Sequence, residues 1–244
     1  MVMENRDELK KLGAAIKAEE IQIWTDIDGM HNNDPRFVEN TKPVSDLSFD
    51  EAAELAYFGA KILHPTCVLP AKSNNIPVRL LNTMDPQARG TNISSVQYRD
   101  RIAAIAAKDN ITAIRIHSGR MLLAYGFLRK VFEIFESYKT PIDMISTSEV
   151  GVSVTIDNVS HLDAIVDDLK KYGMVEVDRN MVIISVVGDL EPYSHGYAGK
   201  IFSSLSNVPI RMISYGGSSH NVSILVKAED KIPALKALSA GLFD

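Results

Sequence analysis

Apolar positions along the chain fall into short runs and helical stripes, and their order outlines the fold. Ile21 to Trp24 is a short apolar run that predicts a buried strand. Ala52, Ala53, Leu55, Ala56 and Ala60 predict a helix running to Lys61. Ser48-Phe49-Asp50-Glu51 opens it with capping-box spacing. Pro65 suits the first position of a second helix, and Pro77 to Leu81 predicts another strand. Arg6 to Ala18, with Leu9, Leu12 and Ile16 on one face, predicts a helix ahead of all these, and Asn82 to Ser95 reads as a polar loop. Strand, loop, helix, helix, strand is part of an α/β domain, with too few strands for a whole one.

Further on the pattern changes. Ile111 to Ile116 predicts a strand, and Leu128, Val131, Phe132 and Phe135 form a helical stripe stopped by Pro141. Two strand-like runs follow, Ile142 to Ser146 and Val150 to Ile156. The second alternates Val150, Val152, Val154 and Ile156 with small or polar residues. Leu162, Ile165, Val166 and Leu169 mark a second helix, and Val175 to Val177 a last strand.

The same series recurs about 70 residues later. Gly126-Phe127 to Phe132 is echoed by Gly196-Tyr197 to Phe202, Pro141 to Ser146 by Pro209 to Ser214, and Val152-Ser153-Val154 by Val222-Ser223-Ile224. Each copy reads as a split βαβ sandwich with helices on one face of an antiparallel sheet. Copy two opens at Met181 to Val187 and ends in a helix near Ile232 to Leu242, one strand short. A partner chain or a strand from copy one must cover that edge. The bounds expected are 1–95 for the α/β part, 96–110 for a linker, 111–178 for copy one and 179–244 for copy two.

Composition narrows the classes. Of 244 residues 45% are hydrophobic, enough for true cores, and the net charge of −5 leaves no basic footprint for nucleic acid. The single cysteine, Cys67, excludes an internal disulfide framework and suits a reducing cytosol. No run nears the roughly 18 apolar residues of a membrane span, and MVMENRDELKK is too charged for a signal peptide. The expectation is a soluble cytoplasmic protein with no membrane or nucleic-acid partner.

Candidate chemistry gathers at the end of the first strand, where α/β sheets bind ligands. Thr25-Asp26-Ile27-Asp28-Gly29 leads into a loop holding His31, Asp34 and Arg36. Asp-Gly and Asp-Pro also fit a plain turn-rich connector.

These residues resemble the aspartate kinases. The motifs are Trp24-Thr25-Asp26-Ile27-Asp28-Gly29 with Asp34-Pro35-Arg36, then Ser48-Phe49-Asp50-Glu51-Ala52 through Phe58-Gly59-Ala60-Lys61-Ile62-Leu63-His64-Pro65, and Met144-Ile145-Ser146-Thr147-Ser148-Glu149-Val150. The repeat is similar to paired ACT modules, βαββαβ regulators that bind amino acids at chain interfaces. The resemblance implies a partial amino-acid-kinase α/β domain followed by two ferredoxin-like ACT domains. It implies phosphoryl transfer from ATP, with Mg, to the β-carboxylate of aspartate, under feedback control by lysine. Thr25, Asp26 and His31 match positions that line the nucleotide, with His31 where a tyrosine is common. Arg36 and Lys61 match positions near the phosphates, where spreading negative charge needs cations. No catalytic or metal-binding residue is assigned.

For the lysine effector the resemblance marks Met121, Ala124, Phe127, Leu128, Ile142, Asp143, Ser148 and Glu149. Backbone N–H groups near Phe127 and Leu128 suit a carboxylate, and Asp143 and Glu149 suit ammonium groups. Copy two has Arg211 in place of Asp143, so the cation pocket belongs to copy one; a second effector stays open. The family's Lys-Phe-Gly-Gly-Thr-Ser and Gly-Gly-Ser-Asp stretches are not in this sequence. The expectation is therefore a homodimeric, carboxyl-terminal regulatory portion, inactive alone. The alternatives are a working kinase with a separate amino-terminal chain, or a stand-alone amino-acid-binding subunit.

Overall fold

A computed structural model describes residues 18–59, 65–119, 125–191 and 196–243. The helix expected over Arg6 to Ala18 falls almost wholly outside them. Strand β1, Ile21–Thr25, buries Ile21 and Ile23 and turns Gln22 and Trp24 outward. Two short strands follow in the loop, β2 (Met30–His31) paired antiparallel with β3 (Pro43–Val44). Strand β4 (Asp46–Ser48) leads straight into helix α1, Phe49–Tyr57. Ser48 caps α1 as its spacing predicts: its hydroxyl accepts from the Glu51 N–H, and the Glu51 carboxylate accepts from the Ser48 N–H.

Helix α2, Pro65–Ser73, opens on its proline and leads to β5, Val78–Asn82. The expected polar loop from Asn82 to Ser95 contains a strand, β6 (Thr91–Ser94). β6 alternates like a strand, with Thr91 and Ile93 buried, because it fills the space between β5 and β4. The result is a four-stranded sheet in the order β1-β5-β6-β4.

The repeats share one six-stranded sheet, ordered β11-β12-β10-β7-β9-β8. Its centre is two long strands, β7 (Ile102–His117) and β10 (Met174–Gly188), paired antiparallel. Helix α3 (Phe127–Ser137), strands β8 (Ile145–Thr147) and β9 (Gly151–Ile156) and helix α4 (Leu162–Leu169) complete copy one. Helix α5 (Tyr197–Ser204), strands β11 (Met212–Ser214) and β12 (Asn221–Lys227) and helix α6 (Lys231–Phe243) complete copy two.

The long strands correct the expected linker. Residues from Ile102 on are strand, not connector: Ile102 to Lys108 pair with Ile183 to Gly188. This half of β7 supplies the strand that copy two lacks, and Ile111 to His117 begins copy one. Each long strand passes between the copies at an asparagine in left-handed backbone, Asn110 (φ 61°) and Asn180 (φ 55°), where the register slips. Asparagine tolerates that conformation better than most residues, so both kinks sit where the sequence permits them.

Three cores result. Val131, Phe135 and Leu169 of copy one pack against Ile114 and Val154. Ile201, Leu235 and Leu238 of copy two pack against Ile184 and Ile224. The inner faces of both copies share the third core with the α/β part, where Met144 and Met212 join Leu55 and Phe58. The two edge strands β8 and β11 come into contact, so the sheet curls around this shared core.

Candidate functional site

The loop after β1 lies against the six-stranded sheet. The Ile105 N–H donates to the Asn32 carbonyl (2.8 Å), which adds the loop to the edge of β7. Asn33, 2% exposed, donates through Nδ2 to the Leu235 carbonyl on α6 (3.0 Å). Between loop, α1 and β7 opens a cleft of about 380 Å³, lined by Asp28, His31, Arg36, Gly59, Ile105 and Ala107 among others.

Two of the predicted nucleotide residues line this cleft. His31 is held at both ring nitrogens, by Asp28 Oδ1 (2.9 Å) and Thr41 Oγ1 (2.8 Å). Arg36 lies on Asp34, with Nη2 2.6 Å from Oδ2 and Nε 2.9 Å from Oδ1. Burial would raise the Asp34 carboxyl, but the Arg36 bonds and charge more than offset it and hold it below the usual range. Thr25 and Asp26 sit beside the cleft rather than in its lining, bonded to each other (3.1 Å). Lys61 lies outside the described residues. Among the described residues no three His, Cys, Asp or Glu side chains converge as a metal site would need.

The predicted effector residues fall into two groups. Phe127 is the buried first residue of α3, behind Gly126 at φ 79°, and no side chain caps that helix start. Ile142 packs on the same core as Phe127, and Asp143 follows it. Ser148 and Glu149 stand at the other end of β8, in the turn closed by the Ser148 N–H on the Gly151 carbonyl (2.8 Å). The Asp143 N–H instead bonds the Thr155 carbonyl, four residues from Gly151 along β9, or roughly 13 Å of strand. Asp143 and Glu149 are thus not brought together. Leu128 is 37% exposed on α3, and Met121 and Ala124 lie outside the described residues.

Asp143 is not a free acid. Its Oδ1 accepts from Lys108 Nζ (2.7 Å) and from the Tyr57 hydroxyl (3.0 Å). Burial pushes the Asp143 carboxyl above the ordinary range, and the Lys108 ammonium only partly pulls it back. Burial alone would lower Lys108, but bonds to Asp143 and Asp157 hold it raised. The Tyr57 hydroxyl is pushed up to about 12, by burial first and the Asp143 charge second.

Lys108, Tyr57 and Asp157 carried no functional reading in the sequence. The repeat holds a signal for two of them. Seventy residues on from Lys108 and Asp157 stand Asp178 and Lys227, and Arg211 takes the place of Asp143. All three charges are inverted, and both pairs run between the copies: Lys108 Nζ lies 2.7 Å from Asp143 Oδ1, and Arg211 Nε 2.8 Å from Asp178 Oδ2.

Tyr57 belongs to a stripe on α1 that faces the two repeats. Glu51 accepts from Arg101 Nη2 (3.1 Å), Glu54 bonds the Ser218 hydroxyl (2.8 Å) and the Asn221 amide, and Tyr57 reaches Asp143. One helix beside the cleft therefore touches both copies.

Comparison with known proteins agrees with this architecture. The model of the Amino acid kinase family matches residues 10–82, and that of the ACT domain residues 184–242. Aspartokinase 3, chloroplastic, of Arabidopsis thaliana is 39% identical over 96% of this chain and 44% of its own length. The chain thus spans about half the length of the curated relatives it matches. Escherichia coli aspartokinase III in complex with aspartate and ADP (R-state) superposes with a TM-score of 0.90, at 35% identity over 98% of this chain and 56% of that one. The same enzyme with lysine and aspartate (T-state) gives 0.84, at 36% identity over 98% and 55%. A putative C-terminal regulatory domain of aspartate kinase from Porphyromonas gingivalis is 55% identical, covering 58% of this chain and 97% of its own, with a TM-score of 0.53. With an α/β fragment, a repeated sheet and the aspartokinases it matches, this chain belongs to the aspartokinase family.

Proposed function

We propose that this chain is the carboxyl-terminal portion of an aspartate kinase, joining part of the nucleotide site to a lysine sensor. The complete site would transfer a phosphoryl group from Mg-ATP to the β-carboxylate of aspartate. The observation that carries this reading is the shared wall of the cleft. Ile105, Ala106 and Ala107 line it from β7, a strand that runs on into copy one. A ligand that shifts copy one therefore acts on the nucleotide loop through β7.

Lysine is the effector that the charges favour. The uncapped start of α3 suits its carboxylate and Asp143 suits an ammonium. The E. coli relative solved with lysine supports the choice. Copy two presents Arg211 at the matching position and repels the same group. We place the protein in the cytoplasm, as a homodimer. Leu128 and Phe132 on the outer face of α3, 37% and 39% exposed, are apolar surface for a second chain to cover.

Calorimetry of lysine against the 244-residue chain tests the sensor. Saturable binding is expected, with sedimentation showing a dimer that lysine tightens. Aspartyl phosphate formation is expected only once an amino-terminal fragment bearing the glycine-rich phosphate-binding stretches is added. Turnover by the chain alone, or no lysine binding, would sink the reading.

A further inference from the structure

Lys108 is bound as a ligand would be. Its Nζ lies 2.7 Å from Asp143 Oδ1, 2.8 Å from Asp157 Oδ2 and 4.7 Å from the centre of the Tyr57 ring. Two carboxylates and an aromatic face are a recognition set for a primary ammonium. The Asp143 side chain is 2% exposed, yet its bonds are lopsided. Oδ1 holds both Lys108 and Tyr57, while Oδ2 is buried and has no hydrogen-bond partner among the described residues. A buried carboxylate oxygen without a donor is costly and marks a place where a further donor would be welcome.

We infer that Lys108 is an internal occupant of the effector's ammonium subsite, exchanged for the ammonium of lysine when the effector binds at Asp143. The inference rests on the reading of copy one as the lysine sensor. The exchange needs little reorganisation. Effector and occupant carry the same primary ammonium, so Asp143 trades one for the other. Asp157, 41% exposed, can keep the displaced Lys108 at the rim. The repeat supplies the contrast: Asp178, Arg211 and Lys227 stand in the three matching places, with a cationic group where copy one offers Asp143.

The exchange reaches the cleft by the shortest route. Ala107, next to Lys108 on β7, lines the cleft, as does Gly59, two residues beyond Tyr57. Tyr57 shares its oxygen of Asp143 with Lys108, so an effector at Asp143 alters the hold on α1 as well.

Calorimetry on the full 244-residue chain, with lysine and with norleucine, which lacks the side-chain ammonium, tests this. Removing the occupant in Lys108→Met should tighten lysine binding by about tenfold or more, the scale of a charged hydrogen bond. Norleucine should gain nothing. Lys108→Gln keeps a donor for Asp143, so the variant should fold even if Lys108→Met does not, and it should give a smaller gain in the same direction. If the parent binds lysine and both variants bind it equally or more weakly, the exchange is wrong while the lysine reading stands. An equal gain for norleucine also overturns the exchange. If neither parent nor variants bind lysine, both readings fall.

Discussion

Gly59 packs directly on the carbonyl of Ala107. A methyl group at Gly59 would lie 2.2 Å from that oxygen, and the residue's φ of 114° is one that side chains rarely adopt. This contact seats the end of α1 on β7 at the edge of the cleft. Gly59→Ala should cost about 1–3 kcal/mol from backbone conformation alone, with the clash adding to it. Denaturant unfolding of the variant measures the loss. A midpoint matching that of the parent would mean α1 and β7 are not fixed together.

Glu51 does two jobs from a side chain 2% exposed: it completes the capping box of α1 and accepts from Arg101. Glu51→Ala removes both and leaves the Arg101 guanidinium only the Asp46 carbonyl and the Tyr98 ring, so a loss of about 1–3 kcal/mol is expected. Glu51→Gln keeps an acceptor for the Ser48 N–H and should lose less. Equal unfolding midpoints for the two variants would show that the cap contributes nothing.

Asp143 and Arg211 occupy matching places in the two copies, and only one of them suits an ammonium. Asp143→Ala should weaken lysine binding by about 10- to 150-fold, the loss of one charge-assisted contact. Arg211→Ala should leave it nearly unchanged. Titrations in which Arg211→Ala binds poorly and Asp143→Ala binds normally would move the effector to copy two.

Asp34 and Asp143 should titrate on opposite sides of the ordinary value of 3.8. The folded chain holds the Asp143 proton more tightly than the unfolded chain does. Its contribution to stability therefore falls as pH rises from 3.8 to its raised value. For Asp34 the sign reverses: the stabilisation is present above 3.8 and is lost as pH falls through its lowered value. Carboxyl-carbon NMR titration resolves the two groups. Asp143→Asn and Asp34→Asn should each remove one of these slopes from the stability profile.

Much of the fold was legible because it is local. Ser48 and Glu51 are three residues apart, and that spacing alone predicts the cap that forms. The alternation of Val150, Val152, Val154 and Ile156 predicts a strand with one buried face; the last three are fully buried, while Val150 lies just before the strand and is exposed. The 70-residue echo predicts two copies of one unit, one of them short of a strand. The strand β6 was missed because Thr91-Asn92-Ile93-Ser94 is too polar for its periodicity to stand out; its burial comes from its neighbours β5 and β4.

The sequence by itself determined the caps, the helical and strand periods, the repeat and the family likeness, since each is written in spacings of a few residues or in a motif. Only the tertiary structure decided that the first half of β7 completes copy two, and that Lys108 meets Asp143 across 35 residues. Both depend on strand register, and register here is set by the kinks at Asn110 and Asn180. A slip of one residue would turn every side chain beyond a kink to the other face. The charges are visible in the sequence, but which of them meet is settled by pairing between distant strands.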